Sequence, residues 1–453
     1  MRTQSKIRAA LALVRRPSLL VAASIVLTGL PAQLHAQASP SAVQAAIRSE
    51  GGPKDLRAFY SARGHQPLWV AGSTLRPEAD MLVEMLEGAS IDGLDPRTYK
   101  VKALKSAIKK ARGGSPAALA RADFLLSQAF AAYASDMRRP RSSSMLIAEP
   151  ALFPSAPDKT QILTVAAAAP SLSAYLDNAG WMHPLYGPLR KSLASAPRNS
   201  PQEQLIRLNL DRARNLPGPD RGRHVVVDAA GARLFMYENG RVVDTMKVVV
   251  GKEDTQTPIM AGMIRYATVS PYWNIPPDLV RERIASNVLD RGLGYLKEQG
   301  YEVLSDWSPK AGITNPKLVN WKSVAAGGQQ IRVRQRPGGS NAMGRVKFEF
   351  PNELGIYLHD TPERNLFQEA DRRYSAGCVR VEDAPRLARW LFGKPLALKS
   401  KTPEKRVDLP EPVPVYITYL TAFPEASGIA FRQDRYRLDA AALGGGQRVL
   451  AGR

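Results

Sequence analysis

Cysteine is nearly absent from this chain of 453 residues: Cys378 is the only one. A single thiol cannot close an internal disulfide, so no disulfide framework supports the fold, and no Cys stands near the start of the chain to carry a lipid. Histidine is scarce as well, with five residues. Beside one cysteine that is too few for a metal-ligand set of the usual density, and neither metal nor cofactor is expected. Long apolar runs are missing: no stretch beyond the first 38 residues approaches eighteen uninterrupted apolar residues, which argues against a transmembrane anchor in the mature chain. Acidic residues are in deficit, 41 against 63 Lys and Arg, for a net charge of +22. The basic residues are spread along the whole length and form no recognisable reading module, so nucleic acid is not an expected partner. The rest, 44% hydrophobic and 23% charged, is the composition of a folded globular chain long enough for two or three domains.

The first 38 residues stand apart. Arg2, Lys6, Arg8, Arg15 and Arg16 precede the short apolar run Leu19–Leu30 and the small residues Ala36-Gln37-Ala38. That is the layout of a secretory signal peptide, and it predicts export to the periplasm. Outside the cytoplasm a basic surface meets anionic wall polymers and membranes. A lone exported thiol is then either a packed, inert side chain or a reactive one.

Periodicity divides the remainder. From residue 39 to 215 the apolar spacing is helical, as in Ala117–Met137 with Leu119, Phe124, Leu125, Phe130 and Tyr133. Residues 216–222, rich in Pro and Gly, read as a linker. Beyond them β-branched and aromatic runs predict a meander, His224–Val227, Ala232–Tyr237 and Val242–Val250, with Asn239-Gly240 as a hairpin turn. Further strands are expected at Met263–Val269, Val346–Phe350, Ile356–His359 and Val415–Leu420. A β domain over 223–400 thus contains a long irregular insertion at 277–344, of the kind that covers or binds something. Residues 401–453 are expected to add strands and a tail packed on one of the two domains.

The chemistry collects around Cys378. If Gly355–Asp360 is a strand, alternation puts Tyr357 and His359 on one face and Ile356 and Leu358 on the other. After a polar loop comes Ser375-Ala376-Gly377-Cys378-Val379-Arg380, then a helix beginning at Asp383. A thiol becomes a nucleophile by losing its proton, and a nearby imidazole is the usual acceptor. Gly377 permits close backbone approach, and the amides of Gly377 and Cys378 are candidate oxyanion donors. His359 is the first candidate base. His224 is an alternative, while His65 and His183 in the helical half read as structural or surface residues.

His359, fifteen intervening residues, then Ser375-x-Gly377-Cys378-Val379-Arg380 resembles the signature of the L,D-transpeptidases, the YkuD domain. Asn341–Phe348, Phe350-Pro351-Asn352, Ile356–Pro362, Pro271–Pro276, Phe59-Tyr60 with Pro67-Leu68-Trp69, and Asp92–Pro96 are similar to the large periplasmic YcbB type. The resemblance implies an α+β protein: a mostly helical N-terminal scaffold domain and a mainly β catalytic domain, a YkuD-like sandwich with an inserted capping segment. It implies a cysteine acyltransferase that joins peptidoglycan tetrapeptide stems by 3→3 crosslinks, with carbapenem sensitivity and other wall-synthesis proteins as candidate partners. Water or a protein lysine in place of the acceptor amine gives the rival reactions. Tyr357, Arg380 and Ser375 are then supporting residues, and Trp273 and Asn274 candidates for the donor groove. Ala376 stands where many members have a second histidine, which leaves the base role to His359. The roughly thirty residues between Ala194 and Gly222 are too few for the separate wall-binding module that related chains often carry.

Overall fold

Short polar residues and prolines mark where the helices of the N-terminal half begin. Asp158, Ser171 and Ser200 each accept a backbone N–H from the first turn of Lys159–Ala168, Leu172–Asp177 and Pro201–Ala213, meeting donors that have no partner within the helix. The computed structural model describes residues 40–139, 145–153 and 157–444. The predicted signal peptide lies outside them. No helix among the described residues is long and apolar enough to cross a membrane.

The axis of the helical half is Pro116–Arg138. Its spacing predicts one apolar stripe, but it is buried on nearly every side, Asp123 and Ser127 included. Buried polar groups require partners. Asp123 accepts the Tyr60 hydroxyl at 2.6 Å and the N–H groups of Leu68 and Trp69 at 3.1 and 2.6 Å, while Ser127 accepts the Trp69 indole at 2.9 Å. Asp92, also buried, receives the hydroxyls of Tyr133 and Tyr186 at 2.6 and 3.0 Å and the Arg190 guanidinium at 3.0 Å. The two N-terminal motifs therefore tie loops to the central helix.

Residues 216–222 do not form a free tether. Leu216, Pro217 and Gly218 are buried, and Asp220 pairs with Arg138 at 2.7 Å. The sheet that follows contains β1 (His224–Asp228), β2 (Arg233–Glu238), β3 (Arg241–Gly251), β4 (Met260–Val269), β5 (Val346–Glu349), β6 (Leu358–His359), β7 (Val379–Val381) and β8 (Lys405–Thr418). Their pairing runs β5-β6-β7-β3-β2-β1-β8-β4 and closes, because β4 also pairs with β5. Inside the closed sheet lie alternate residues of every strand, among them Val225, Leu234, Val248, Ile264, Phe348, Leu358, Val379 and Val415, covered by Leu387 and Leu391 of helix Ala384–Phe392. Each such side chain contributes about 1.5–3 kcal/mol on burial.

Segments of the chain cross between the halves in both directions. Leu146–Ile147, from the helical region, pairs in parallel with β4. After β8, Thr421 exchanges hydrogen bonds with Asn209 at 2.8 and 2.9 Å, and Arg212 pairs with Asp439 at 2.5 Å. The C-terminal segment thus contacts both halves rather than one.

The insertion interrupts the β4–β5 connection. Trp273–Ile275, Arg332–Gln335 and Tyr301–Leu304 form a three-stranded sheet around a separate core of Ile275, Val280, Ile284, Tyr295, Trp321 and Val333. Its first strand starts four residues before the expected boundary at 277. Buried Asn341 clamps the neck, donating to the carbonyls of Pro271 at 3.1 Å and Arg336 at 2.9 Å.

Candidate active site

The sheet register sets the site. In the parallel pair β6–β7, His359 lies opposite Arg380, which puts Cys378 opposite Tyr357. Across the antiparallel pair β5–β6, Lys347 lies opposite His359. Alternation turns Leu358, Val379 and Phe348 into the core and leaves Lys347, Glu349, Tyr357, His359, Cys378 and Arg380 on the outer face. The predicted strand Ile356–His359 shrinks to two residues because Asn352 captures Ile356, its side chain accepting the Ile356 N–H at 3.1 Å and donating to the Ile356 carbonyl at 2.7 Å.

His359 is buried, and its Nδ1 lies 2.6 Å from the Asp360 backbone carbonyl. With Nδ1–H donating there, the neutral ring carries its lone pair on Nε2. Burial, then the charge of Arg380, lowers its pKa to about 3. The Asp360 carboxylate points elsewhere, to Arg345 at 3.1 Å and Arg364 at 2.5 Å. Gly344, at φ +60, leaves room for it, since a Cβ there would stand 2.6 Å from that carboxylate.

Cys378 is half-buried, and its thiol donates to the Gly355 carbonyl at 3.7 Å. Burial pushes the thiol above its ordinary pKa, and the Tyr357 N–H and hydroxyl pull it part of the way back. His359 and Cys378 are diagonal neighbours across β6 and β7, a separation that side chains can span. No hydrogen bond joins them in this rotamer among the described residues. Contacts of this kind often tighten only when substrate binds.

The loop before Cys378 is held from both sides. Ser375 donates to the Cys378 carbonyl at 2.5 Å and accepts the Gly377 N–H at 3.1 Å. The Gly377 amide is therefore engaged within the loop and is not a free oxyanion donor, which corrects the expectation from sequence. The Cys378 N–H meets no acceptor among the described residues. Gly377 has φ +112, a conformation costly for any residue with a side chain. Its carbonyl accepts Thr257 at 2.9 Å, and Tyr436 donates to Gly251 at 2.6 Å. Thr257 and Tyr436 carry no local signal in the sequence: Thr257 reaches the loop from far along the chain, and Tyr436 stands behind it on Gly251.

Arg380 forms an ion pair with Glu363. Tyr357 packs edge-on to His359 at 5.7 Å, with the Lys347 ammonium 5.0 Å from its ring centre. Lys347 in turn pairs with Glu349 at 2.9 Å. Trp273 packs against the core of the insertion and Asn274 is exposed on its sheet. Among the described residues, no hydrogen bond or ring contact brings either to Cys378. His224 lies flat on Tyr237 at 4.9 Å, beside His183 at 5.8 Å and against the helical half, so it is not the partner of Cys378. No group of His, Cys, Asp and Glu among the described residues is arranged to hold a metal ion.

Residues 54–193 match the Scaffold domain family, and residues 222–415 match the YkuD family, the L,D-transpeptidase catalytic domain. A protein of Haemophilus influenzae, provisionally named an L,D-transpeptidase, is 27% identical over 403 residues, 85% of this chain and 78% of that one. An L,D-transpeptidase structure from Mycobacterium smegmatis is similar at 12% identity and a TM-score of 0.21, over 43% of this chain and 58% of its own. Another, from Xylanimonas cellulosilytica, is similar at 16% identity and a TM-score of 0.20, over 53% and 79%. The chain thus spans little more than half of the Mycobacterium smegmatis protein.

Proposed function

We propose that this chain, which carries a Scaffold domain and an L,D-transpeptidase catalytic domain, crosslinks peptidoglycan stems outside the cytoplasm through a thioester on Cys378. The observation that carries the reading is the common outer face of β6 and β7. There Tyr357, His359, Cys378 and Arg380 stand together, and the contact of His359 Nδ1 with the Asp360 carbonyl assigns the proton to Nδ1 and the lone pair to Nε2.

In the reaction proposed, the thiol rotates from Gly355 toward His359 and its proton passes to Nε2 as sulfur attacks the carbonyl of the third residue of a tetrapeptide stem. The tetrahedral oxyanion forms near the Cys378 N–H, the donor left free by the loop. Collapse breaks the bond to the terminal D-Ala, whose nitrogen takes the proton from His359. A side-chain amine of a second stem then attacks the thioester, its proton passes to His359, and the C–S bond breaks to give a 3→3 crosslink and the free thiol. A neutral thiol beside a neutral imidazole supports general-base attack rather than a standing thiolate–imidazolium pair. Tyr357 holds down the thiol's pKa in part, Ser375 fixes the loop, and Arg380 is held by Glu363.

Purified protein incubated with disaccharide-tetrapeptides and analysed by mass spectrometry tests the reading. Crosslinked dimers that disappear in Cys378→Ala support it. Tripeptides alone indicate hydrolysis, transfer to an added lipoprotein lysine indicates anchoring, and unchanged substrate removes the enzymatic assignment.

A further inference from the structure

We propose that the helical half holds a second binding site, for the carboxylate end of a short peptide, between Arg63 and Arg76. A cavity of about 310 Å³ opens where the turn after helix Lys54–Ala62, the start of helix Glu78–Glu87 and the connection following Lys159–Ala168 meet. Arg63, Arg76 and Glu78 are its charged lining, and Ala169 and Pro170 are among its apolar lining.

The two guanidinium groups lack a carboxylate. No ion pair involves either among the described residues. Arg63 lies over the Phe59 ring at 5.1 Å and donates through Nη2 to the Pro67 carbonyl at 3.4 Å, but its Nη1 is buried with no acceptor. Asp123 lies close enough to influence Arg63, yet both its oxygens already accept Tyr60, Leu68 and Trp69. A buried donor without an acceptor is costly and calls for an explanation. Two like charges facing one cavity are explained by an anion between them.

The lining selects among anions. A guanidinium fork matches the planar, two-oxygen geometry of a carboxylate, and this cavity is lined by two of them. Glu78 adds a negative charge that disfavours a phosphate dianion and accepts a peptide N–H. The small apolar wall suits an alanine methyl, and the volume, at the lower limit of ligand pockets, admits about two residues. The site stands apart from Cys378 and does not depend on the reaction proposed above; only the choice of a stem peptide as probe rests on that reading.

The test uses the full chain carrying Cys378→Ala, so that turnover cannot consume the probe. Arg76 is labelled with phenylglyoxal and followed by mass spectrometry of its peptide, with a stem tetrapeptide, its C-terminal carboxamide, or inorganic phosphate present. The free acid is expected to protect Arg76 at concentrations at least tenfold below the carboxamide or phosphate, and Arg63→Gln to raise the protecting concentration at least tenfold. Should Arg63→Gln not fold, calorimetry on Arg76→Gln is expected to lose one of two tetrapeptide binding events. Equal protection by acid and carboxamide, equal protection by phosphate, or none overturns the proposal. With Cys378 restored, Arg76→Gln is expected to process disaccharide-tetrapeptide at the unsubstituted rate, so failure at this site is distinguishable from failure of the catalytic reading.

Discussion

The imidazole Nδ1 of His359 lies 2.6 Å from the backbone carbonyl of the next residue, Asp360, while the Asp360 carboxylate is held by Arg345 and Arg364. The ring is oriented by a main-chain group that no substitution deletes. The adjacent carboxylate serves the loop instead.

Asp360→Asn is therefore expected to keep kcat within about tenfold while lowering stability by about 1–3 kcal/mol, the usual loss when a buried charged hydrogen bond is weakened. His359→Gln is expected to lose about 10²–10⁴ in kcat, the contribution of a general base, with little change in stability. Steady-state kinetics beside urea titration separate the two. If Asp360→Asn costs as much activity as His359→Gln, the carboxylate acts on the ring and the assignment to the carbonyl is wrong.

The protonation states predict a pH dependence. His359 falls to about 3 and the Cys378 thiol rises above its ordinary value, burial being the first cause of each. Between those limits both groups are neutral in the free protein. Iodoacetamide labelling of Cys378 is expected to climb with pH through 8 and beyond without a plateau near neutrality, and kcat/KM to show no inflection near 6.5. A labelling plateau below pH 7 means that a thiolate already exists there, and general-base attack is then the wrong description.

An acylating β-lactam reports on the same thiol. Incubation with a carbapenem is expected to add one drug mass to the peptide containing Cys378, and the adduct is expected to be absent from Cys378→Ala. Unmodified Cys378 after prolonged exposure to excess drug counts against its role as the acyl acceptor.

Ser375 and Gly377 test the loop. Ser375→Ala removes the bond to the Cys378 carbonyl and leaves the Gly377 N–H without its acceptor. It is expected to lower stability by about 1–2 kcal/mol and to reduce kcat more than it raises KM, because the Cys378 amide is no longer fixed. Gly377→Ala places a Cβ at φ +112 and 3.4 Å from Ile356, and is expected to lower kcat with KM little changed. Wild-type kinetics in Ser375→Ala remove the loop from the account.

Much of this arrangement is readable in the sequence because it is local. Alternation alone puts Tyr357 and His359 on one face, and Gly377-Cys378 announces its loop. What is not readable comes from distant pairing. Lys347 and Glu349 join the site only because β5 pairs with β6, and Thr257 braces the loop across a long stretch of chain, with Tyr436 behind it on Gly251. Strand β8 begins at Lys405, ten residues before the expected Val415. Pro410, Pro412 and Pro414 disguise it, and the register breaks between Asp408 and Val413, where two of these prolines fall.

Acid should loosen the contact between the two halves through His224. Its ring is buried on Tyr237 and beside His183, and burial lowers its pKa from 6.5 to about 4. His183 is displaced in the same direction, by burial and then by His224. Below pH 6.5 the unfolded chain takes up a proton on His224 that the folded chain refuses, so stability falls with pH until about 4, where the folded form protonates as well. For His224 the loss is on the order of 3 kcal/mol, at about 1.36 kcal/mol for each pH unit between 6.5 and 4. Urea titrations at pH 7 and pH 4.5 are expected to show a drop that is smaller by about 2–3 kcal/mol in His224→Phe, which keeps the aromatic stack without the titration. An unchanged drop in that variant would show that the acid sensitivity arises elsewhere, with His359 the next group to substitute because its folded pKa is also displaced downward.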